Sequence, residues 1–300
     1  MITVIGFSPA IDITYVVDKL IPGSAHRVTQ KFTIAGGKSI NVASVLETLG
    51  TSSQLLIPLG GDTGKAILQD LETRKIKTIH QQISGITRTC VAVVADQASV
   101  FNEPATTLTD AEYDQFEDLI RQQSTSSKVV VFSGSMPSNY SPDRFQKLVH
   151  KVKSSNNKVI VDTSGEYLLA GARGGADLVK PNHEELAAAF PALSQSEALA
   201  ALLELGAGSV YLSMGSRGGL FQSAEEAFAV EVPEVMGNAT GAGDAFVAGF
   251  ASGIDQDLTL SETLLVASAC GSAAVLENTG GVVRLEHVED FKSKVKVSRK

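Results

Sequence analysis

Short runs of consecutive apolar residues alternate along this chain with segments whose apolar residues recur every three or four positions. The runs Thr3–Phe7, Gln54–Leu59, Lys128–Ser133, Lys158–Asp162, Asp177–Lys180 and Ser209–Ser213 predict strands buried on both faces of a parallel sheet. Between them, Asp110–Gln123 and Ser141–Ser154 predict amphipathic helices, while the more uniformly apolar Ser39–Leu49 and Ala245–Gly253 predict buried ones. This rhythm specifies an α/β fold, a mainly parallel sheet sandwiched by helices, with sites at the carboxyl ends of its strands.

Four early segments break the rhythm. Asp12–Asp18, Arg27–Ile34, Arg88–Ala95 and Ser99–Asn102 look like antiparallel strands with no helix between them, and VVADQASVF reads as a hairpin. A small sheet projecting from a core must cover its face against a ligand or another subunit, so these segments predict a lid. The expectation is one domain over residues 1–300, with lid strands drawn from about 12–35 and 88–103, because 300 residues fit one principal core.

Composition narrows the partners. A net charge of -8 gives no overall attraction for a nucleic-acid backbone or an anionic membrane, so neither is expected. Cys90 and Cys270 have no paired spacing, which points away from a disulfide framework or zinc knuckle and toward a reducing cytoplasm. The opening MITVIGFSPAID lacks a basic region and reads as a first strand. The apolar stretch Leu264–Leu276 is too short to span a bilayer.

The strongest chemical signal is GNATGAGDAFVAGF. Gly241, Ala242 and Gly243 precede Asp244 and a buried helical run, an arrangement that aims backbone N–H groups and a helix dipole at an anion. A carboxylate beside such a hole accepts the proton of an attacking hydroxyl while the amides stabilise a transferring phosphoryl group. The plain alternative is a glycine turn with Asp244 as a solvated helix-start residue. Rival motifs fail on spacing. A P-loop ending at Lys38-Ser39 needs Gly where Phe32 stands, and one ending at Lys65 needs Gly where Leu59 stands. A dinucleotide fingerprint from Gly241 meets Phe246, and His183-Glu184 has Ala187 in place of a second His.

Taken with AGGKSINVASVLETLG near the N-terminus, GNATGAGDAFVAGF resembles the paired signatures of the PfkB carbohydrate kinase family. FSGSMP, VDTSGEYL, LVKPNHEEL and LSMGSRGG follow in the order of its phosphofructokinase and tagatose-6-phosphate kinase branch. The resemblance implies a ribokinase-like three-layer fold with a β-sheet lid, ATP as co-substrate and Mg²⁺. It makes Asp244 the catalytic base and Gly241, Ala242 and Gly243 the anion hole. Ser213, Gly215, Ser216 and Gly218 then match the nucleotide turn, Lys180, Asn182 and Glu185 the segment near the phosphates and Mg²⁺, and Asn278 joins the nucleotide side. Asn182 and Glu185 also have the spacing of a helix cap and its reciprocal partner. A monovalent cation near Gly237 and Asn278 is left open.

On the acceptor side the resemblance assigns Asp12, Gly36, Gly37, Asn41 and, more weakly, Ser135 to the sugar. Lys38 belongs to a GGK segment that kinases of free sugars also carry, whereas Arg27 and Arg88 match positions associated with a sugar phosphate, to which a guanidinium presents forked, permanent charge. The acceptor expected is therefore fructose 1-phosphate, tagatose 6-phosphate or fructose 6-phosphate. The alternatives are a free sugar or nucleoside kinase, or a binding protein without turnover. Ser39 stands where Gly is usual, Ala239 replaces a Thr, and Ala105-Thr106 replace a Gly-Pro in the lid, which unsettles the acceptor more than the phosphotransfer. A homodimer through the lid is the family's expectation.

Overall fold

The computed structural model describes residues 1–153 and 157–300. Its strands are β1 (Ile2–Ile5), β2 (Ala10–Val16), β3 (Gln30–Gly36), β4 (Ser53–Leu59), β5 (Thr78–Gln82), β6 (Thr89–Val94), β7 (Ala98–Asn102), β8 (Val129–Ser133), β9 (Lys158–Asp162), β10 (Leu178–Val179), β11 (Ser209–Ser213), β12 (Gly219–Ser223), β13 (Ala227–Glu231) and β14 (Lys296–Arg299). The helices are α1 (Lys38–Thr48), α2 (Gly61–Thr73), α3 (Asp110–Ser124), α4 (Pro142–Lys153), α5 (Glu166–Arg173), α6 (His183–Ala189), α7 (Gln195–Glu204), α8 (Ala242–Asp255), α9 (Leu260–Val275) and α10 (Leu285–Lys292). The last residue of the helix expected over Ser141–Ser154 lies outside the described residues.

All six apolar runs become neighbours in one large sheet, ordered β14-β13-β12-β11-β10-β9-β8-β1-β4-β5. From β11 to β5 every pairing is parallel; β12, β13 and β14 extend that edge antiparallel. These three extending strands are short and only half-buried, so they carry no continuous apolar run. The core has two halves. On one face of the sheet α1, α2, α8, α9 and α10 cover residues such as Val4 and Leu55, and on the other α3 to α7 cover Ile5, Phe132 and Val161. The fold is a ribokinase-like α/β sandwich. Among the described residues no helix is long and apolar enough to cross a membrane; α9, the most apolar late segment, is instead buried against α8.

The four lid segments form a separate sheet ordered β3-β2-β6-β7. Its central pairing, β2 with β6, is parallel, whereas the alternation had suggested antiparallel strands throughout. The chain between them runs through α1, β4, α2 and β5, ample length for the crossover a parallel pair requires. Register sorts the side chains into rows. Ile34, Asp12, Cys90 and Asn102 are aligned across the sheet, and one step outward Phe32, Thr14, Ala92 and Val100 share the same face. In the outer row Phe32 and Val100 are exposed.

Candidate active site

The carboxyl ends of the parallel strands and the inner face of the lid enclose a cavity of about 940 Å³. Its floor is the start of α8. Gly241 caps that helix at φ 82°, a left-handed geometry suited to glycine, and a Cβ there would lie 2.6 Å from the Gly280 Cα. The Ala242 N–H closes a turn onto the Ala239 carbonyl at 3.2 Å, while no carbonyl takes the amides of Gly243 and Asp244. Of the three amides expected in the anion hole, those of Gly241 and Gly243 have no backbone acceptor among the described residues and that of Ala242 does. The N–H group of Asp244 has none either, and these free donors lie at the positive end of the helix.

Asp244 itself is 5% exposed. Burial raises its pKa to about 7, with the nearby Asp162 charge adding to the rise and Lys38, the Asn41 hydrogen bond and Lys180 opposing it. The Asn41 Nδ2 donates to Asp244 Oδ2 at 2.8 Å. Asn41 is held in turn by two glycines, since a Cβ on Gly280 or Gly281 would come within 2.9 Å or closer of its atoms.

Asp162, at the end of β9, is the group that motif reading missed. Its carboxylate is buried, and Oδ1 faces Lys180 Nζ at 3.2 Å and Lys38 Nζ at 3.5 Å, while Oδ2 has no partner among the described residues. The Asp162 charge is the main reason the Lys38 pKa is raised. Lys180 also reaches the helix start, because a Cβ on Gly243 would lie 3.2 Å from its Nζ. A signal for Asp162 was present: it closes the run KVIVD, at the strand end where such folds place their sites. Asn182 and Glu185 form the capping box, with Glu185 N–H on Asn182 Oδ1 at 2.7 Å and Asn182 N–H on Glu185 Oε2 at 2.9 Å. Both nevertheless line the cavity, and Glu185 Oε1 lies 3.9 Å from Lys38. The pair is thus a helix cap that also faces the cavity.

Toward the lid, Asp12, Gly37, Lys38, Asn41, Arg88 and Ser135 all line the cavity, joined by Ser8, Cys90 and Asn102, which the motifs had not singled out. Burial raises the Asp12 pKa, and Arg88 opposes it. The Arg88 guanidinium is anchored by the carbonyls of Glu103 at 3.0 Å and Ser8 at 3.2 Å, and its buried Nε has no partner. Gly36 is not on the surface of the cavity; it underlies Asp12, whose Oδ2 would stand 1.8 Å from a Cβ there. Arg27 is exposed in the loop between β2 and β3, and this chain does not bring it into the cavity. Away from the lid, Ser213, Gly215, Ser216 and Gly218 form the turn leaving β11 and border the cavity as expected. Asn278 does not line it. Its carbonyl accepts from Asn238 Nδ2 at 3.0 Å, tying the loop before α8 to the loop after α9. The unusual Ser39 is accommodated at Gly6, where a Cβ would sit 1.9 Å from the Ser39 Oγ.

The pfkB family carbohydrate kinase model matches residues 1–283. This chain belongs to that family. It is therefore a phosphotransferase with a hydroxyl acceptor, and ATP is its co-substrate. The kinase is 31% identical over 305 residues to the 1-phosphofructokinase of Bacillus subtilis, covering 100% of both chains. It is 28% identical over 309 residues to a tagatose-6-phosphate kinase of Staphylococcus epidermidis, covering 99% of each. Among solved structures, phosphofructokinase-2 from Escherichia coli in complex with potassium superposes with a TM-score of 0.91 at 26% identity, over 98% of both chains.

The double placement of Glu185 is separable by substitution. Glu185→Gln keeps an oxygen to accept the Asn182 N–H and should leave the melting temperature within about 2 °C, whereas Glu185→Ala should lower stability by the ~1 kcal/mol of a lost cap. If both variants lose phosphotransfer but only the alanine loses stability, the carboxylate charge acts in the cavity. Full activity of the glutamine variant would reduce Glu185 to a cap.

Proposed function

We propose that this kinase transfers the γ-phosphoryl group of ATP to a hydroxyl of a ketohexose phosphate, with Asp244 as general base. The carrying observation is the junction at the start of α8: a buried carboxylate with its pKa raised to about 7, adjoining Lys180 and the N–H groups of Gly241, Gly243 and Asp244, which have no acceptor among the described residues. An acceptor hydroxyl placed at Asp244 loses its proton to the carboxylate as its oxygen attacks phosphorus. The amides of Gly243 and Asp244, with Lys180 and Lys38, hold the oxygens of the transferring group where negative charge accumulates. Asn41 orients the carboxylate and keeps its pKa from rising further.

The donor set also suits Mg²⁺. Asp162 offers a buried Oδ2 that has no partner among the described residues, and Glu185 offers Oε1, 3.9 Å from Lys38. Hard carboxylate oxygens, few in number, match an ion that keeps most of its ligands as water and phosphate. Such an ion, when bound, neutralises the clustered charge of the nucleotide phosphates. A monovalent cation would sit where Asn238 and Asn278 join the two flanking loops beside Gly237.

For the acceptor, the names of the relatives and the anchored Arg88 favour a phosphorylated ketohexose: fructose 1-phosphate, tagatose 6-phosphate or fructose 6-phosphate. Two of the guanidinium's N–H groups go to carbonyls, leaving the others and a permanent charge for the phosphate. The outward row Phe32, Thr14, Ala92 and Val100 supports pairing of two lids face to face, since an exposed apolar row on a projecting sheet is otherwise a liability.

With its pKa near 7, the base is progressively protonated as pH falls through neutrality. The kcat/KM should therefore decline below about pH 7, approaching tenfold per unit. Asp244→Asn should fold, bind nucleotide and lose at least ~10²-fold in kcat; near-normal turnover would remove the base assignment. Arg88→Ala should raise KM for the phosphorylated acceptor by roughly 10- to 100-fold, as expected of a charged hydrogen bond, and leave free sugars unaffected. Equal losses on both would argue against a phosphate site. Sedimentation equilibrium should give a dimer that Val100→Lys dissociates, and a monomeric parent protein would end the lid-pairing proposal.

A further inference from the structure

Two side chains of α2 stand outside the cavity yet hold one wall of it. Strand β3 is an edge of the lid sheet, so the backbone groups on its outer side have no strand to pair with. At its inner end, just before Gly36, a side-chain pair takes that place. Ala35, 2% exposed, donates its N–H to Asp70 Oδ2 at 3.2 Å, and its carbonyl accepts from Arg74 Nη1 at 3.3 Å. Arg74 Nη1 also pairs with Asp70 Oδ2 at 3.1 Å, so an acid and a base one helical turn apart satisfy both backbone groups of a single residue. The other arm of the guanidinium, Nη2, donates to Ser44 Oγ in α1, and Ser44 Oγ donates in turn to the Ile40 carbonyl at 2.6 Å.

Arg74 therefore grips both ends of one short segment, Ala35 before it and the second turn of α1 after it. Between those points lie Gly36, which underlies Asp12, and Gly37, Lys38 and Asn41, which line the cavity. Gly37 opens α1 at φ 102° with no side-chain cap, and a Cβ there would meet the Ser8 carbonyl at 3.2 Å. With no cap of its own, the entry to α1 takes its path from what holds its two ends. An acid–base pair spaced i,i+4 on a helix surface ordinarily contributes little. This one is partly buried, at 27% and 22% side-chain exposure, and turns its remaining donors and acceptor onto another segment.

We propose that Asp70 and Arg74 are positioning residues for the acceptor: they clamp the segment from Ala35 to Ser44 so that Gly36 backs Asp12 and the start of α1 presents Lys38 and Asn41 to the cavity. The inference rests on the acceptor reading above. Neither side chain lines the cavity, so both act through the backbone they hold. The turn from Ser213 to Gly218 and the free amides at the start of α8 belong to other elements and do not hang on the clamp. Loosening it costs acceptor binding and turnover and spares the nucleotide. A pair that only covered a sheet edge would lower stability without separating the two substrates.

The test compares Arg74→Ala, Arg74→Lys and Asp70→Ala with the parent kinase. Rates are measured on whichever of the three ketohexose phosphates ATP phosphorylates, alongside thermal melts and amide hydrogen exchange of the peptide covering residues 35–44. Arg74→Ala should lower kcat/KM for the acceptor about tenfold or more, the scale of a lost hydrogen bond to a charged group, while KM for ATP stays within about twofold. Asp70→Ala should do the same, and the double variant should be no worse than the larger single loss, because the two act on one residue. Arg74→Lys keeps the charge and reaches the Ala35 carbonyl or Ser44 Oγ but not both, so it should recover part of the loss. Amides of the 35–44 peptide should exchange at least ~10-fold faster in Arg74→Ala. Equal losses on acceptor and ATP, or a lower melting temperature with both KM values unchanged, overturn the proposal. If Arg74→Ala does not fold, the same comparison in Arg74→Lys decides. If the parent phosphorylates none of the three sugars, the acceptor reading fails; faster exchange confined to the 35–44 peptide then still supports the clamp, and unchanged exchange overturns it.

Discussion

Asp162 and Asp244 are both buried near the same two lysines, and the site depends on that balance of charge. Asp162 Oδ1 faces Lys180 Nζ at 3.2 Å and Lys38 Nζ at 3.5 Å, while the Asp162 charge also pushes the Asp244 pKa upward. Four elements of the sandwich contribute one member each: β9, the segment after β10, the start of α1 and the start of α8. Removing either partner of a buried pair leaves an uncompensated charge, at a cost of about 3–5 kcal/mol. The lysines are therefore partly structural before any substrate arrives. Phosphate oxygens entering between them would redistribute the same positive charge, lowering the cost of moving a proton onto Asp244 as transfer proceeds.

The lid shows a second economy. A four-stranded sheet with alternating side chains has two faces, and register places Asp12, Cys90 and Asn102 in the row beside the cavity. The next row outward on that face is Phe32, Thr14, Ala92 and Val100, so the surface over the acceptor continues into one shaped for apolar contact. Any partner held on the outer row would bear on the inner one. Arg88, lying just before β6 and fixed to carbonyls of Ser8 and Glu103, couples the lid to the end of the first core strand.

One departure from the family pattern, Ser39, has a local compensation, and other candidate residues are fitted in the same way. Ser39 fits because Gly6 leaves room for its hydroxyl, and Asp12 lies where Gly36 has no side chain. Asn182 and Glu185 looked in sequence like either a helix cap or a phosphate-side pair, and the short helix α6 places them so that one carboxylate oxygen caps while the other turns toward Lys38.

The sequence by itself determined the alternating sandwich, the lid strands and the loop carrying Asp244, because each is written in contiguous residues: apolar runs, two-residue alternation, and glycines beside a carboxylate. It also contained the turn from Ser213 to Gly218. Only the tertiary structure decided what those local pieces share. Asp162 acquires meaning from lysines far away in sequence, and Gly280 and Gly281 from the Asn41 side chain they press against. Arg27 and Asn278 carry plausible residue types but stand elsewhere, exposed in a lid loop and spent on a loop-to-loop contact. Charge pairing and close packing join residues across chain separations that no local pattern encodes.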